Sequence, residues 1–275
     1  MSKSFFLLLC TILISNLSLA QQKEVREDMV DSLTFAENRQ QLNSLNTDKF
    51  MKKEFKTGNT TIPYRLLSPK DSAKKTKYPL VLTFHNSSRI GNDNEKQLEH
   101  LARIWLQETI YTNYPCYVAA PQFSKRSSNY EKNADHVLFS TPSDEVGALL
   151  DLVKNLEKTY PDIDTTRIYL IGYSMGASTA QNLLNSTPDK FAAMVSIAAV
   201  PDFSNLKNIQ NKNIWLIHGE QDEDNPYNGS VELYRKLSTN KNLVFTTFSH
   251  LNHHNIVIPF LTTDEIPKWL FDKRN

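Results

Sequence analysis

Two of the chain's seven glycines flank a single serine, in Gly172-Tyr173-Ser174-Met175-Gly176. A serine hydroxyl is a weak nucleophile at neutral pH and needs a base beside it. It must also stand clear of the backbone. A sharp turn from strand into helix achieves that, and glycines at −2 and +2 remove the side chains that would collide with the neighbouring strand and helix. The run "RIYLIGY" before the serine reads as a strand, and "GASTAQNLLNS" after it reads as a helix. Free N–H groups at a helix start favour negative charge, so the Met175 N–H is a candidate donor to an oxyanion.

The orienting acid and the base of such a serine should follow it in chain order, each just past a strand. "WLIHGEQDEDNP" supplies the acid. Asp222 lies just past that strand and is preferred, with Glu220, Glu223 and Asp224 as alternatives. "LVFTTFSHLNHHN" carries His250, His253 and His254. Several loop residues separate His253 from the strand, so it is the preferred base, with His254 as the alternative and His250 as a structural residue. Three close histidines could also hold a metal. Adjacent His253 and His254 would point in different directions, however, so no metal is expected. The second oxyanion donor should come from "FHNSSRIGND", the loop after the strand ending at His85. It offers the backbone N–H of Asn86 or Ser87. His85 and His218 read as structural.

These residues need a sheet to position them, and the chain alternates strand and helix signals. "KKEFKTGNTTIPYRLLSP" reads as a hairpin turning at Gly58-Asn59. "YPLVLTFH" is an apolar run suited to a strand buried on both faces. "EKQLEHLARIWLQE" (95–108) has helical spacing, "CYVAAPQ" reads as strand, and "SDEVGALLDLVKNLEKTY" as an amphipathic helix capped by Ser143. After the serine turn come the strand "FAAMVSIAAV", the strand "NIWLIHG", the helix "GSVELYRKLS", the strand "LVFTTFS" and a last helix with Pro267 in its first turn. This order predicts an α/β fold: a mostly parallel central sheet, helices on both faces and an antiparallel N-terminal hairpin. The short link between "MVSIAAV" and "IWLIHG" leaves no room for a large lid domain, so an open site is expected. The polar segment 124–140, with Tyr130 and Phe139, is expected to form its rim and to help select the substrate.

Composition narrows the classes. The chain has 275 residues, is 40% hydrophobic and 22% charged, and carries a net charge of +1. No strong field therefore favours nucleic acid or a membrane surface. Lys3, the apolar stretch 5–14 and the small residues Ser18 and Ala20 before Gln21 read as a signal peptide over 1–20, too short in its apolar part to span a bilayer. The mature protein is then expected to be secreted or periplasmic. Cys116 would be its one cysteine and reads as a buried hydrophobe. Residues 21–49 are polar and lack Gly and Pro, which suggests an N-terminal arm before a single domain over 50–275.

With these motifs in this order, the chain resembles an α/β-hydrolase. More narrowly, it resembles the secreted esterases and peptidases grouped with polyhydroxybutyrate depolymerases and prolyl-oligopeptidase-like domains. The matching stretches include "IPYRLLSP", "YPLVLTFHNSSRIGNDNEKQL", "YVAAPQ", "IDTTRIYLIGYSMGAS", "IWLIHGEQDEDNP" and "FTTFSHLNHHN". The resemblance implies Ser174 as nucleophile, Asp222 as orienting acid, His253 as base and no cofactor. This chain has Asn86 where the family has the glycine of His-Gly, Ala177 where a second glycine commonly follows the serine turn, and Asn252 where glycine often precedes the histidine. The function implied is cleavage of carboxylic esters through an acyl-enzyme, acyl groups on carbohydrate being one candidate. A serine peptidase on the same triad and a non-catalytic binding module are the alternatives. The expected partner is a small-molecule or polymer-attached ester, with no nucleic acid and no membrane after signal removal.

Overall fold

The apolar runs of the sequence form the middle of a nine-stranded sheet. A computed structural model describes residues 21–70 and 76–275. The expected signal peptide at 1–20 lies outside the described residues. The chain starts with strand β1 (Gln22–Arg26) and helix α1 (Ser32–Asn43). The hairpin β2 (Phe50–Thr57) and β3 (Thr60–Leu67) follows, turning through Gly58 at φ 54°. Next come β4 (Tyr78–Phe84), short helices α2 (His100–Arg103) and α3 (Glu108–Asn113), and β5 (Tyr117–Pro121). A second hairpin, β6 (Ser128–Lys132) and β7 (Leu138–Pro142), leads into α4 (Glu145–Thr159). The remainder is β8 (Ile163–Tyr173), α5 (Met175–Ser186), β9 (Ala193–Ile197), β10 (Asn213–Gly219), α6 (Tyr227–Lys236), β11 (Leu243–Phe248) and α7 (Glu265–Phe271).

The strand order is β1-β11-β10-β9-β8-β4-β5-β3-β2. Every pair from β1 to β5 is parallel, and β3 runs antiparallel to both β5 and β2. The two-residue period of each strand divides its side chains between two cores. On β8, Ile168 and Leu170 pack with α4, α5 and α6, whereas Tyr169 and Ile171 pack with α2, α3 and α7. A strand that must be apolar on both faces cannot alternate, which is why these runs are continuous. The N-cap of α4 is Asp144 rather than Ser143, whose Oγ accepts the Glu145 N–H at 3.2 Å from one residue earlier. Cys116 is buried and free.

Three features differ from the sequence expectation. The sheet begins at Gln22, ahead of the boundary at residue 50, because the arm supplies β1 as an edge strand beside β11. Arg26 fixes it there, donating to Glu265 Oε2 at 2.9 Å while its guanidinium covers the rings of Phe248 and Phe260. The expected helix 95–108 is interrupted. Asp93 Oδ1 accepts the N–H groups of Glu95 and Lys96 at 2.9 and 3.0 Å, a local turn that competes with helix. Glu99 then stays extended, at φ −90° and ψ −169°, and α2 starts only after it. The polar segment 124–140, which carried no strand signal, folds as a hairpin with a buried base at Ser127 and Ser128.

That base is tied to α5. Ser128 Oγ donates to Asn182 Oδ1 at 2.8 Å, and Asn182 Nδ2 donates to Asp202 Oδ2 at 2.8 Å, all three residues being buried. Asn182→Ala leaves a buried hydroxyl and a buried carboxylate without this partner. It is expected to destabilise the protein by about 2–4 kcal/mol, as read by urea unfolding.

Candidate active site

β8 ends at Tyr173 and α5 starts at Met175, so Ser174 alone makes the turn, at φ 58° and ψ −123°. This conformation costs a non-glycine residue of the order of 1–3 kcal/mol and persists only where the surroundings hold it. They do so closely. A Cβ on Gly172 would lie 2.2 Å from the Gly176 carbonyl oxygen, and one on Gly176 would lie 2.1 Å from the Phe84 carbonyl oxygen. The Ser174 N–H donates to Ile197 O at 2.9 Å, which ties the turn to β9.

The acid and the histidine arrive from the next strand ends. Asp222 follows β10 and His253 follows β11. His253 Nε2 stands 2.9 Å from Ser174 Oγ, and His253 Nδ1 stands 2.7 Å from Asp222 Oδ2. Gly219 lets the two loops meet, since a Cβ there would lie 2.1 Å from Leu251 O. Asp222 is buried. Burial pushes its carboxyl up, but hydrogen bonds from His218, His253 and the Asn225 N–H outweigh this and hold it well below the usual carboxylate range. The other candidates fall elsewhere. His254 is exposed and faces Asp224 at 3.4 Å, and His250 faces Glu27 at 3.1 Å. Glu220 and Glu223 are exposed.

Sequence reasoning left two donors open for the oxyanion loop, and the structure separates them. The Asn86 N–H already donates to Glu99 Oε1 at 2.9 Å, which corrects its inclusion as an oxyanion donor. The Ser88 N–H goes to Asn86 Oδ1, the Arg89 N–H to Asn86 O and the Ile90 N–H to Ser87 O. Among the described residues, no acceptor takes the Ser87 N–H, and Ser87 lines the same cleft as Ser174. Met175, at the start of α5, is the other donor with no protein acceptor there.

His85 and His218 are both braces. The Phe123 N–H donates to His85 Nε2 at 3.1 Å, so Nδ1 carries the proton and donates to Asn86 O at 2.7 Å. Burial drives His85 down to about 4, so the ring is neutral near pH 7. Two residues were missed. The Tyr173 hydroxyl donates to His253 O at 2.6 Å and so braces the histidine loop. It occupies the variable position of the serine turn, where the motif gives no signal. Arg126 lies 4.5 Å over the Tyr130 ring at the cleft wall. The cleft has a volume of about 390 Å³, and Ser88, Arg126 and Asp224 line it with Ser174 and His253.

Residues 123–261 match the phospholipase/carboxylesterase family. The chain belongs to that family. The matched stretch contains Ser174, Asp222 and His253 and leaves out the loop around Asn86. Among solved structures, a thermostable esterase is 29% identical with a TM-score of 0.74, over 83% of this chain and 64% of that one. The chain therefore spans less than two thirds of that esterase. Est1E from Butyrivibrio proteoclasticus is 13% identical, with a TM-score of 0.56 over 80% of this chain and 98% of that one. Dipeptidyl peptidase 4 of Porphyromonas gingivalis is 16% identical, with a TM-score of 0.60 over 82% of this chain and 35% of that one. At these identities the last two are likenesses of fold. No curated protein matches the chain. Esterases and peptidases thus share its α/β-hydrolase fold.

The contact between the acid and histidine loops gives a direct test. Gly219→Ala forces a Cβ against the Leu251 carbonyl. It is expected to destabilise the fold by about 3 kcal/mol, the upper part of the overpacking range, as read by thermal unfolding.

Proposed function

We propose that the protein hydrolyses carboxylic esters through an acyl-enzyme on Ser174. The observation that carries this reading is the unbroken hydrogen-bonded chain from Ser174 Oγ through the His253 ring to Asp222. His253 Nε2 takes the hydroxyl proton as Oγ attacks the ester carbonyl. Asp222 keeps the other proton on Nδ1 and stabilises the imidazolium. The carbonyl oxygen, now negative, is received by the N–H groups of Met175 and Ser87. His253 then gives its proton to the departing alcohol. Water, deprotonated by the same ring, attacks the acyl-Ser174 ester, and collapse returns the free acid and the serine hydroxyl.

The cleft supports a substrate class. Residues 198–212, between β9 and β10, hold only a short 3₁₀ turn, so no helical cap covers the site from there. The walls carry polar and charged groups, Ser88, Arg126 and Asp224 among them. Such walls suit short acyl groups on polar alcohols, including acetyl or aromatic acyl groups on carbohydrate, better than long acyl chains. The signal-like first twenty residues support action outside the cytoplasm, in the periplasm or beyond the cell.

A fluorophosphonate is expected to label Ser174, located by peptide mass mapping. Ser174→Ala is expected to abolish labelling and to lower kcat on p-nitrophenyl acetate by about 10³-fold or more, with the fold intact. Wild-type hydrolysis by that variant would remove the proposal. A panel of acyl esters against peptide amides tests the bond: preferential amide cleavage would move the peptidase reading to first place. Asp222→Asn is expected to cost about 10⁴-fold in kcat, because the amide favours the wrong histidine tautomer.

A further inference from the structure

We propose that Glu99 is the positioning residue of the oxyanion loop: its buried carboxylate clasps Asn86 and thereby aims the Ser87 N–H at the reacting carbonyl oxygen. The inference rests on the proposed serine mechanism and deepens it. Asn86 presents two donors to Glu99. Its backbone N–H donates to Oε1 at 2.9 Å, and its side-chain Nδ2 donates to Oε2 at 2.7 Å. The rest of Asn86 is also engaged. Its carbonyl accepts from His85 Nδ1 at 2.7 Å and from the Arg89 N–H at 3.2 Å, and its Oδ1 accepts the N–H and the hydroxyl of Ser88 at 2.8 and 2.7 Å. Every polar atom of Asn86 is thus bound, and the next N–H in the chain, that of Ser87, is left for a ligand.

The loop also lies where a donor is needed. The missing Cβ of Gly176 would fall 2.1 Å from Phe84 O and 2.8 Å from His85 O, so the segment entering Asn86 abuts the start of α5. Two open N–H groups, of Met175 and Ser87, therefore flank Ser174 from two separate elements. The one is fixed by its helix. The other sits in a loop, and its direction depends on what holds Asn86.

Only a carboxylate meets both donors of Asn86. A glutamine offers one acceptor and one donor, so one of its two contacts becomes donor against donor. Asn86 cannot answer by turning its amide over, because Oδ1 already holds two bonds from Ser88. The choice of a carboxylate also works against stability. Burial pushes Glu99 up to about 7, opposed by the Asn86 N–H and by Arg89, whose Nε lies 3.6 Å from Oε2. Tyr173, at the end of β8, is the other titratable group that senses Glu99. The folded carboxyl binds its proton more tightly than an ordinary one. The stability it contributes is therefore full below its ordinary value of 4.5 and is lost as the pH rises through about 7. Above about pH 7 the buried carboxylate is thus kept at a cost in stability, which points to a role in the site rather than in folding.

The test uses Glu99→Gln in the mature protein beside Ser174→Ala, with p-nitrophenyl acetate as substrate and a trifluoromethyl ketone as mimic of the tetrahedral oxyanion. With Glu99→Gln, kcat is expected to fall about 10- to 100-fold, less than the loss of a whole oxyanion donor, while KM stays nearly constant. Affinity for the ketone should fall by the same factor. The unfolding temperature at pH 8 should be unchanged or higher. Wild-type kcat in Glu99→Gln, with Ser174→Ala inactive, would overturn the clasp and leave the serine mechanism standing. Active Ser174→Ala would overturn the mechanism itself. A loss of activity that follows a lower unfolding temperature, with ketone affinity and KM changing together, would make Glu99 a folding residue and overturn the inference. Should Glu99→Gln fail to fold, Asn86→Ala carries the test, beside Ser88→Ala as the control for the Oδ1–hydroxyl contact, since it drops the side-chain arm and keeps the main-chain one. A smaller kcat loss at constant KM supports the clasp, and no loss overturns it.

Discussion

The close approach of backbone to backbone at the serine turn is the constraint on which the rest of the site depends. Gly172 and Gly176 have no room for a Cβ, and Ser174 between them is held at positive φ. Such a turn is stable only if both elements that meet there are rigid. The end of β8 is fixed by β4 and β9 on either side, and α5 lies against β8, β9 and β4. A central strand, rather than an edge one, therefore carries the serine. The same pressing together repeats at Gly219, where the acid loop touches the histidine loop. In each case a glycine marks a place where two loops of the site share one space.

A second constraint follows from burial. A buried polar group without a partner costs about 1–3 kcal/mol, so the groups under the site are bound to one another. His85 takes its tautomer from the Phe123 N–H, and Asn86 has every polar atom occupied. What this satisfaction leaves over is informative. Among the described backbone N–H groups at the two turns, those of Ser87 and Met175 have no protein acceptor, and Ser87 lines the same cleft as Ser174. Hydrogen bonding therefore separates Ser87 from Asn86 as the loop donor, in a loop that departs from the family pattern at Asn86.

The fold was legible because its central strands are buried on both faces and so appear as plain apolar runs, as in 78–84 and 213–219. The serine, acid and histidine stretches were legible for a related reason: each directly follows such a run, and the order along the chain is set by the sheet. Elements that depend on distant partners were not. β1 is mostly exposed, and only pairing with β11 makes it a strand. The helix expected over 95–108 has the right apolar spacing, but Asp93 and Glu99 draw its first turn into contacts that periodicity does not record. Tyr173 and Glu99 act through partners 80 and 13 residues away, so neither has a local sign of its role.

The acid shows how the two constraints combine. Asp222 Oδ2 lies 2.7 Å from His253 Nδ1 and 3.2 Å from His218 Nε2, while Oδ1 accepts the Asn225 N–H at 2.8 Å. His218 Nε2 also faces the Asn225 carbonyl at 2.9 Å. A nitrogen between two acceptors must carry the proton, which leaves Nδ1 to accept from the Ser230 hydroxyl at 2.7 Å. One carboxylate is thereby held by two imidazoles and a backbone N–H. With two donors other than His253 fixing it, Asp222 has little freedom to follow His253, so the ring must orient to the acid. The direction in which His253 Nε2 points at Ser174 is then set by the end of β10, one strand removed from the one that carries the serine.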